Sequence, residues 1–308
     1  MNTFTKRGRN MKTVVITGSA RGLGFEMAKV FRKNGCNVVL SDLSEENLKV
    51  AKDKLMEIPS QASVDYQVCN VTSTSDLSNL INFAKQKYNN IDIWINNAGV
   101  NQPDKPIWEL SENEINLVLD VDIKGAVMGS KLALKAMIEQ GSGAIYNIEG
   151  YGSNDAMMTG LSMYGTSKRA ITYFTASLAK EVADKNINVL IGRLSPGIMI
   201  TDFITTALGD KQHIELPEKT KKVYNILGDY PDIVANFLVE NMLTNTKSKY
   251  KAMALDLEKE MMSQKPSDTN PDYFYDSFTT LTGEKYEIAL AKIVDNFIEK
   301  MKVSLTND

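Results

Sequence analysis

The stretch TVVITGSARGLG, residues 13–24, decides the fold of this chain of 308 residues. Its first five residues are β-branched and predict a short buried strand, and a helical pattern begins shortly after them. Between the two, Gly18 permits a tight turn, Gly22 lets the backbone approach a pyrophosphate, and Gly24 allows close packing of helix and strand. A plain strand–helix turn needs one glycine rather than three. The stretch therefore predicts a site where exposed N–H groups and the helix dipole bind a dinucleotide.

Strands and helices alternate from this stretch onward, and the strands are apolar throughout. Strands without a polar face are typical of a parallel sheet that is covered by helices on both sides. The pattern therefore predicts an α/β protein with a doubly wound parallel sheet, the Rossmann fold. The predicted strands are 13–17, 36–42, 64–70, 91–99, 143–148 and 186–197, and long helices are predicted over about 111–139 and 161–184.

The pattern changes after Thr201, where the chain becomes rich in Lys, Glu, Met and Tyr. Helical spacing is evident in PDIVANFLVENML (231–243) and YEIALAKIVDNFIEKM (286–301). We therefore divide the chain into a flexible N-terminal arm (1–11), a Rossmann catalytic domain (12–202) and a mainly helical extension of the same domain (203–308). The extension is expected to act as a lid over the substrate pocket.

Composition excludes several classes of protein. The net charge of −3 argues against a nucleic-acid binder, which normally presents a basic face. Two cysteines cannot form a disulfide framework, and the first residues do not resemble a secretion signal. No run of residues is apolar enough for a membrane span, and no cluster of residues has metal-ligand spacing. We therefore expect a cytoplasmic protein without a metal centre.

Asp42 stands at the end of the second predicted strand, about twenty residues beyond the glycine turn. A carboxylate there can accept hydrogen bonds from the ribose hydroxyls of adenosine and would repel a 2′-phosphate. Asp42 therefore favours NAD(H) over NADP(H). Arg21 is the opposing feature, because a basic side chain in the turn could contact a 2′-phosphate, and it keeps NADP(H) open as the alternative.

Four motifs occur in order and at suitable spacing, namely TGSARGLG (17–24), NNAG (96–99), YGTSK (164–168) and SPGIMIT (195–201). With them the chain resembles the short-chain dehydrogenase/reductase (SDR) family over about residues 12–205. The resemblance implies a sheet of strand order 3-2-1-4-5-6, often with a seventh strand. It also implies a homodimer or homotetramer, and hydride transfer between a nicotinamide and an alcohol or carbonyl.

The residues of YGTSK agree with that chemistry. Tyr164 and Lys168 are four positions apart, so on a helix they share one face. An ammonium group beside a tyrosine stabilises the tyrosinate and draws the pKa of the phenol down from about 10. Tyr164 is thus the predicted general acid/base, and Lys168 its helper.

The resemblance places NNAG on the adenosine side of the cofactor and SPGIMIT on the nicotinamide side, with Asn70 where the family often has an adenine-contacting Asp. The predicted cofactor-binding residues are Gly18, Ser19, Arg21, Gly22, Leu23, Gly24, Asp42, Asn70, Val71, Asn97, Ala98, Gly99, Tyr164, Lys168, Pro196, Gly197, Ile198 and Thr201.

Two positions depart from the family pattern. Asp122 occupies the place of an Asn that helps to carry protons, and as a carboxylate it can serve a similar relay beside Lys168. The usual N-I-S-S stretch, whose second Ser donates to the substrate oxygen, reads Asn147-Ile148-Glu149-Gly150 here. Ser153 is then the nearest hydroxyl, and the glycine-flanked loop could bring it to the same point. We predict Asp122 and Ser153 as catalytic residues. The predicted substrate-binding residues are Glu149, Gly150 and Tyr151.

The stretch NIEGYGS (147–153) resembles N-M-D-G-x-G-S of the chlorophyll b reductase-like branch of the family, and SPGIMITDFI (195–204) resembles that branch as well. That branch has a long C-terminal extension without the usual last strand, for which TTLTGEKYEI (279–288) is the one candidate here. The resemblance implies a bulky apolar carbonyl or alcohol as substrate, chlorophyll-like or steroid-like.

A second function remains open at this point. The chain could be a non-catalytic dinucleotide-binding protein that senses redox state or acts as a scaffold. The replaced Ser and Asn favour this reading, whereas the retained Tyr164 and Lys168 oppose it.

Overall fold

A computed structural model describes residues 11–197 and 230–245, together with the backbone of 251–253. Its centre is a seven-stranded sheet of order β3-β2-β1-β4-β5-β6-β7, in which every pair of neighbours is parallel. The order of the first six strands confirms the predicted doubly wound sheet. The strands are β1 (Thr13–Thr17), β2 (Asn37–Asp42), β3 (Val64–Val68), β4 (Ile93–Asn96), β5 (Gly143–Ile148), β6 (Val189–Ser195) and β7 (Lys251–Met253).

Helices cover both faces of this sheet. The described helices are α1 (Gly22–Lys33), α2 (Glu45–Met56), α3 (Thr74–Tyr88), α4 (Glu112–Val118), α5 (Ala126–Gln140), α6 (Ser162–Asp184) and α7 (Pro231–Thr244), with a π-helical segment (Leu119–Gly125) and a short 3-10 helix (Ile107–Glu109). Because successive side chains of a strand point to opposite faces, Val14 and Ile16 pack in one core with α1, α2 and α7, whereas Val15 packs in the other with α3, α5 and α6. Apolar residues at every position of a strand thus fill two cores.

Serine caps fix the start of three helices. The side chains of Ser44, Ser73 and Ser111 each accept a hydrogen bond from a backbone N–H in the first turn of α2, α3 and α4. At α4 the side chain of Glu114 also reaches back to the Ser111 N–H, which completes a capping box. Helix α6 differs, because its N-cap residue Leu161 offers no side-chain hydrogen bond.

The helix predicted over about 111–139 is interrupted. The described helix passes from α4 through the π-helical segment Leu119–Gly125 into α5. A wider turn changes the direction in which its side chains point, and such segments often accompany functional sites. Apolar periodicity over a long window does not reveal one wider turn, so the sequence predicts a single helix.

The described part of the predicted extension joins the sheet domain. Helix α7 buries Val234, Leu238 and Met242 in the same core as α1. Strand β7 pairs with β6, with Lys251 opposite Arg193. The seventh strand therefore comes from a part of the predicted mainly helical extension where no strand was expected, and the candidate at 279–288 lies outside the described residues. The division into arm, domain and lid remains a prediction.

Both cysteines are buried and free. Burial raises the pKa of the Cys36 thiol, and it raises that of Cys69 to about 11, so both are protonated near neutral pH. Among the described residues, no helix combines the length and the apolar character that a membrane crossing needs.

Candidate active site

The glycine turn after β1 has the conformation that its sequence predicts. Gly18 has a φ of +62°, and a Cβ added to it would lie 2.7 Å from the Cα of Ala98. Gly22 has a φ of +59°, and a Cβ there would meet nothing within 4 Å. At Gly24 a Cβ would lie 2.6 Å from Asn97 Nδ2. The turn is therefore packed against the loop after β4 on one side and open at Gly22, where an anion could approach the backbone.

Thr17 joins the glycine turn to the NNAG loop, a role that its place in the sequence does not indicate. Its hydroxyl accepts hydrogen bonds from the N–H groups of Asn97 and Ala98, both at 3.0 Å. The Asn97 amide in turn donates to the carbonyls of Thr17 (2.9 Å) and Gly18 (2.8 Å). Two loops that are about eighty residues apart in sequence are thus held as one surface at the carboxyl ends of β1 and β4.

Asp42 lies beside the same turn. One carboxylate oxygen accepts a hydrogen bond from Ala20 N–H (3.3 Å) and the other from Leu43 N–H (2.8 Å). Arg21 is exposed at the start of α1. The hydroxyl of Ser19 is buried and donates to the Ile16 carbonyl, so its predicted contact with a cofactor is left to its backbone.

The remaining predicted cofactor residues surround this edge of the sheet. Asn70 is exposed, and its side-chain oxygen accepts hydrogen bonds from Thr72. Val71 lies against Gly125 of the π-helical segment. Pro196 and Gly197 follow β6, and Gly197 is exposed with a φ of +73°. Two further predicted residues, Ile198 and Thr201, lie outside the described part of the chain.

Tyr164 and Lys168 lie in the first two turns of α6 on one face. The Lys168 Nζ is 5.2 Å from the centre of the Tyr164 ring. Only 6% of Lys168 is exposed, while Tyr164 is half-buried. The half-buried phenol ring thus has a buried ammonium group beside it.

Asp122 holds that ammonium group. Its Oδ2 lies 3.0 Å from Lys168 Nζ and accepts from the Ser167 hydroxyl at 3.2 Å, while Oδ1 accepts from Val100 N–H at 2.8 Å. Burial alone lowers the pKa of Lys168, but the charges of Asp122 and Tyr164 and the hydrogen bond to Asp122 outweigh it, so this pKa is raised. The π-helical segment therefore supplies the counter-charge that keeps Lys168 protonated.

The loop after β5 packs directly on Tyr164. A Cβ added to Gly150 would lie 2.5 Å from the Tyr164 hydroxyl oxygen. Gly152 has a φ of +93°, and a Cβ there would lie 2.5 Å from the Cα of Gly165 in α6. The buried hydroxyl of Ser153 accepts a hydrogen bond from Gly150 N–H at 3.1 Å. The loop thus folds back so that Ser153 reaches the backbone of the residue beside the phenol.

Glu149 faces the interior. It is 1% exposed, its Oε1 lies 3.2 Å from Arg193 Nη1, and the same oxygen accepts from the Thr172 hydroxyl at 3.0 Å. The carboxylate of Glu149 therefore links Arg193 of strand β6 to Thr172 of helix α6. A contact with substrate, predicted for Glu149 and for the half-buried Tyr151, remains a prediction.

A buried polar network keeps β4, β5 and the helices behind them in register. Asn96 accepts from the Trp94 indole (2.8 Å) and donates to Asn147 (2.7 Å). Ser130 of α5 bonds to both Asn96 and Asn147, and Asn147 donates to Thr175 of α6. Asn96 is the first residue of NNAG and Asn147 lies three residues before Gly150, so the network anchors the start of both loops.

No group of His, Cys, Asp and Glu side chains suitable for a metal ion occurs among residues 11–197 and 230–245. These residues do bring a phenol, an ammonium group and a carboxylate together, and such a set can support proton transfer.

The family profile described as short chain dehydrogenase matches residues 12–212. Chlorophyll(ide) b reductase NOL of Oryza sativa subsp. japonica is 35% identical over 232 residues, which cover 74% of this chain and 66% of that protein. Probable chlorophyll(ide) b reductase NYC1 of the same plant is 32% identical over 247 residues, 75% of this chain and 47% of that protein. The chain thus spans about half to two thirds of the length of these relatives. A crystal structure of NAD⁺-bound xylitol dehydrogenase aligns with a TM-score of 0.69 at 21% identity, over 80% of this chain and 98% of that one.

Proposed function

The chain belongs to the short-chain dehydrogenase family, and we propose that it is an NAD(H)-dependent oxidoreductase. In this proposal a hydride passes between the nicotinamide and the carbonyl or alcohol carbon of a bulky apolar substrate. The proposal rests chiefly on one observation, namely the half-buried phenol of Tyr164 in front of a Lys168 ammonium group that Asp122 holds in place.

Tyr164 supplies the proton. In the direction of reduction, the dinucleotide, when bound, would supply the hydride to the carbonyl carbon, and the Tyr164 phenol gives its proton to the carbonyl oxygen. The positive charge of Lys168 stabilises the phenolate that remains. Asp122 keeps Lys168 charged, and its other oxygen holds the loop after β4 at Val100.

Ser153 assists from the loop beside Tyr164. The missing Ser at position 150 leaves room for the phenol, because a side chain there would collide with the Tyr164 hydroxyl. The Ser153 hydroxyl, held by the Gly150 N–H, is the donor that we assign to the substrate oxygen. In this proposal the Ser that donates to the substrate oxygen stands three positions further along the loop than in the family pattern.

The glycine turn and Asp42 would hold the cofactor. Gly22 offers open backbone to the pyrophosphate, and the Asp42 carboxylate at the end of β2 would accept from the ribose hydroxyls of NAD(H). A 2′-phosphate would meet the negative charge of Asp42, which supports the preference for NAD(H) over NADP(H).

The relatives support the proposed substrate class. Their names specify chlorophyll(ide) b as the molecule reduced, which is a large apolar macrocycle with a formyl group. We propose a substrate of similar size and polarity for this chain, and a homodimer or homotetramer that acts in the cytoplasm. The rice relatives are described as chloroplastic. The cytoplasmic location of this chain therefore belongs to the proposal and does not come from these relatives.

The test is turnover with Tyr164→Phe. Wild-type protein should oxidise NADH in the presence of an apolar carbonyl such as 2-naphthaldehyde, decanal or a steroid ketone. Tyr164→Phe should lose at least about 100-fold in kcat because its proton donor is gone, while NADH binding, measured by fluorescence, stays within a few-fold of wild type. NADH binding without turnover of any carbonyl would instead support the redox-sensor or scaffold function.

A further inference from the structure

Helix α6 carries Tyr164 in its first turn, yet it has no cap of its own. The N-cap residue Leu161 makes no side-chain hydrogen bond to the helix. The backbone N–H groups of Met163 and Tyr164 donate instead to the side-chain oxygen of Gln102, at 2.6 and 3.0 Å. Gln102 is more than sixty residues away in sequence, so a neighbouring loop provides the cap.

Gln102 is well placed to fix these groups. It is 3% exposed, its backbone N–H donates to the Asn101 side chain at 2.9 Å, and its amide nitrogen approaches the Lys105 carbonyl at 3.5 Å. A buried acceptor that holds two N–H groups of a helix start satisfies donors that would otherwise lack a partner. Its position is therefore determined by the loop rather than by solvent.

The same loop contacts the other half of the catalytic pair. Val100 N–H donates to Asp122, and a Cβ added to Gly99 would lie 3.4 Å from Lys168 Nζ. Four consecutive residues, 99–102, therefore contact the Lys168–Asp122 pair at one end and the backbone of Tyr164 at the other. A shift of this loop would move the phenol relative to the ammonium group.

We propose that Gln102 is a positioning residue, whose side-chain oxygen fixes the start of α6 and with it the place of the Tyr164 hydroxyl. The expected effect of Gln102 on kcat rests on the proposed function, whereas its effect on the order of the first turn of α6 does not. Gln102 reaches Tyr164 through the backbone, and the reacting atoms belong to Tyr164.

Two variants separate the acceptor from the bulk of the side chain. Gln102→Met keeps the length and volume but removes the oxygen. Gln102→Glu keeps an oxygen at the same distance, and the positive end of the helix dipole favours a carboxylate there. The exposed glutamine Gln61, changed to Met, controls for the chemistry of the substitution.

The kinetic measurement uses the full chain with NADH and 2-naphthaldehyde. Gln102→Met should lower kcat by about 10- to 100-fold, because a small displacement of a reacting group has a large effect on rate. The KM for NADH should stay near wild type, since the glycine turn is unaffected. Gln102→Glu should regain most of the lost kcat, and Gln61→Met should equal wild type.

The second measurement does not depend on activity. Amide hydrogen exchange of a peptide that spans 161–166 should be at least about tenfold faster in Gln102→Met than in wild type and should return toward wild type in Gln102→Glu. Wild-type kcat and exchange in Gln102→Met would overturn the proposal, as would a loss in Gln102→Glu equal to that in Gln102→Met. If wild-type protein reduces no carbonyl, the proposed function fails, and the exchange data alone still decide whether Gln102 fixes Tyr164.

Discussion

The Nζ of Lys168 lies 3.0 Å from the Oδ2 of Asp122, and both side chains are almost wholly buried. The SDR resemblance assigns an Asn to position 122, so this chain has a full negative charge where an amide is expected. Burial by itself lowers the pKa of Lys168, but the charge of Asp122 and its hydrogen bond, together with the charge of Tyr164, outweigh burial and raise this pKa. The buried pair thus couples the active site to the stability of the domain.

We expect Asp122→Asn to lower the free energy of unfolding by about 3–5 kcal/mol near neutral pH, because Lys168 loses its counter-charge while it stays buried. The direction in which this stabilisation changes with pH follows from the pKa of Lys168. In wild type it is raised, so the contribution of the pair is complete below about pH 10 and is lost as the pH rises through the folded value. In the variant burial lowers this pKa, so the difference between the two proteins should narrow as the pH approaches about 10.

Urea unfolding of both proteins at several pH values checks this expectation. Asp120→Asn is the matched control, because Asp120 lies two residues away in an exposed pair with Lys124. A difference in unfolding free energy that is the same at every pH would contradict the role assigned to the Lys168 charge.

Gly150→Ser restores the serine that the family pattern has at this position, and we expect it to harm the enzyme. A Cβ at Gly150 would lie 2.5 Å from the Tyr164 hydroxyl, so the phenol must move. The kcat should fall by about 100-fold, whereas NADH binding should be retained. Gly165→Ala, one residue from Tyr164, is the control because its Cβ would have 3.8 Å to the nearest atom. Activity equal to wild type in Gly150→Ser would show that the described packing of this loop is wrong.

Ser153→Ala tests the displaced donor. We expect kcat to fall at least about tenfold, because removal of a donor to the reacting oxygen has effects of this size or larger. The KM for NADH should not change. Steady-state kinetics of wild type, Ser153→Ala and Ser142→Ala measure the effect. Ser142→Ala is the control, because Ser142 is exposed and lies outside the site. An unchanged kcat would assign the donor role to a backbone N–H or to water.

Removal of Arg193 should lower the free energy of unfolding more than removal of the charge of Glu149, its partner in an ion pair. The carboxylate is fully buried, whereas 26% of the Arg193 side chain is exposed. Arg193→Met therefore leaves a buried charge and should cost about 3–5 kcal/mol, while Glu149→Gln should cost less, because the guanidinium can reach water. A double-mutant cycle by urea unfolding should show coupling of about 1–3 kcal/mol. The exposed pair Lys180 and Asp184 is the control and should show almost none.

Asp42→Ala should relax the choice of cofactor. Loss of the carboxylate removes both the acceptor for the ribose hydroxyls and the repulsion of a 2′-phosphate. The KM for NADH should rise about tenfold or more, as expected for the loss of one charge-assisted hydrogen bond. The KM for NADPH should fall or stay constant, because the repulsion of its 2′-phosphate is lost. Steady-state kinetics with NADH and with NADPH give the ratio of the two KM values for wild type and variant. Asp53→Ala, on the exposed face of α2, is the control. An unchanged ratio would shift the discriminating role toward Arg21.

The sequence by itself determined the architecture of the domain. Apolar strands that alternate with capped helices specify a parallel sheet between two layers, since each strand has to fill two cores. The glycines at 18, 22 and 24 carry a local signal, because only glycine fits these backbone angles and close approaches. Tyr164 and Lys168 could be paired from their spacing alone, because four residues on a helix bring two side chains to one face.

Only the tertiary structure decided what lies around that pair. Arg193 meets Glu149 and Gln102 caps the start of α6, and each contact joins residues at least forty positions apart, whereas the family resemblance had already placed Asp122 beside Lys168. Periodicity and spacing report on neighbours along one element, and they contain no information about which distant side chain is its partner. The direction of a buried carboxylate is fixed by the charge and the donors that the folded chain brings to it. For that reason the sequence does not show that Glu149 pairs with Arg193, and its predicted contact with substrate remains a prediction.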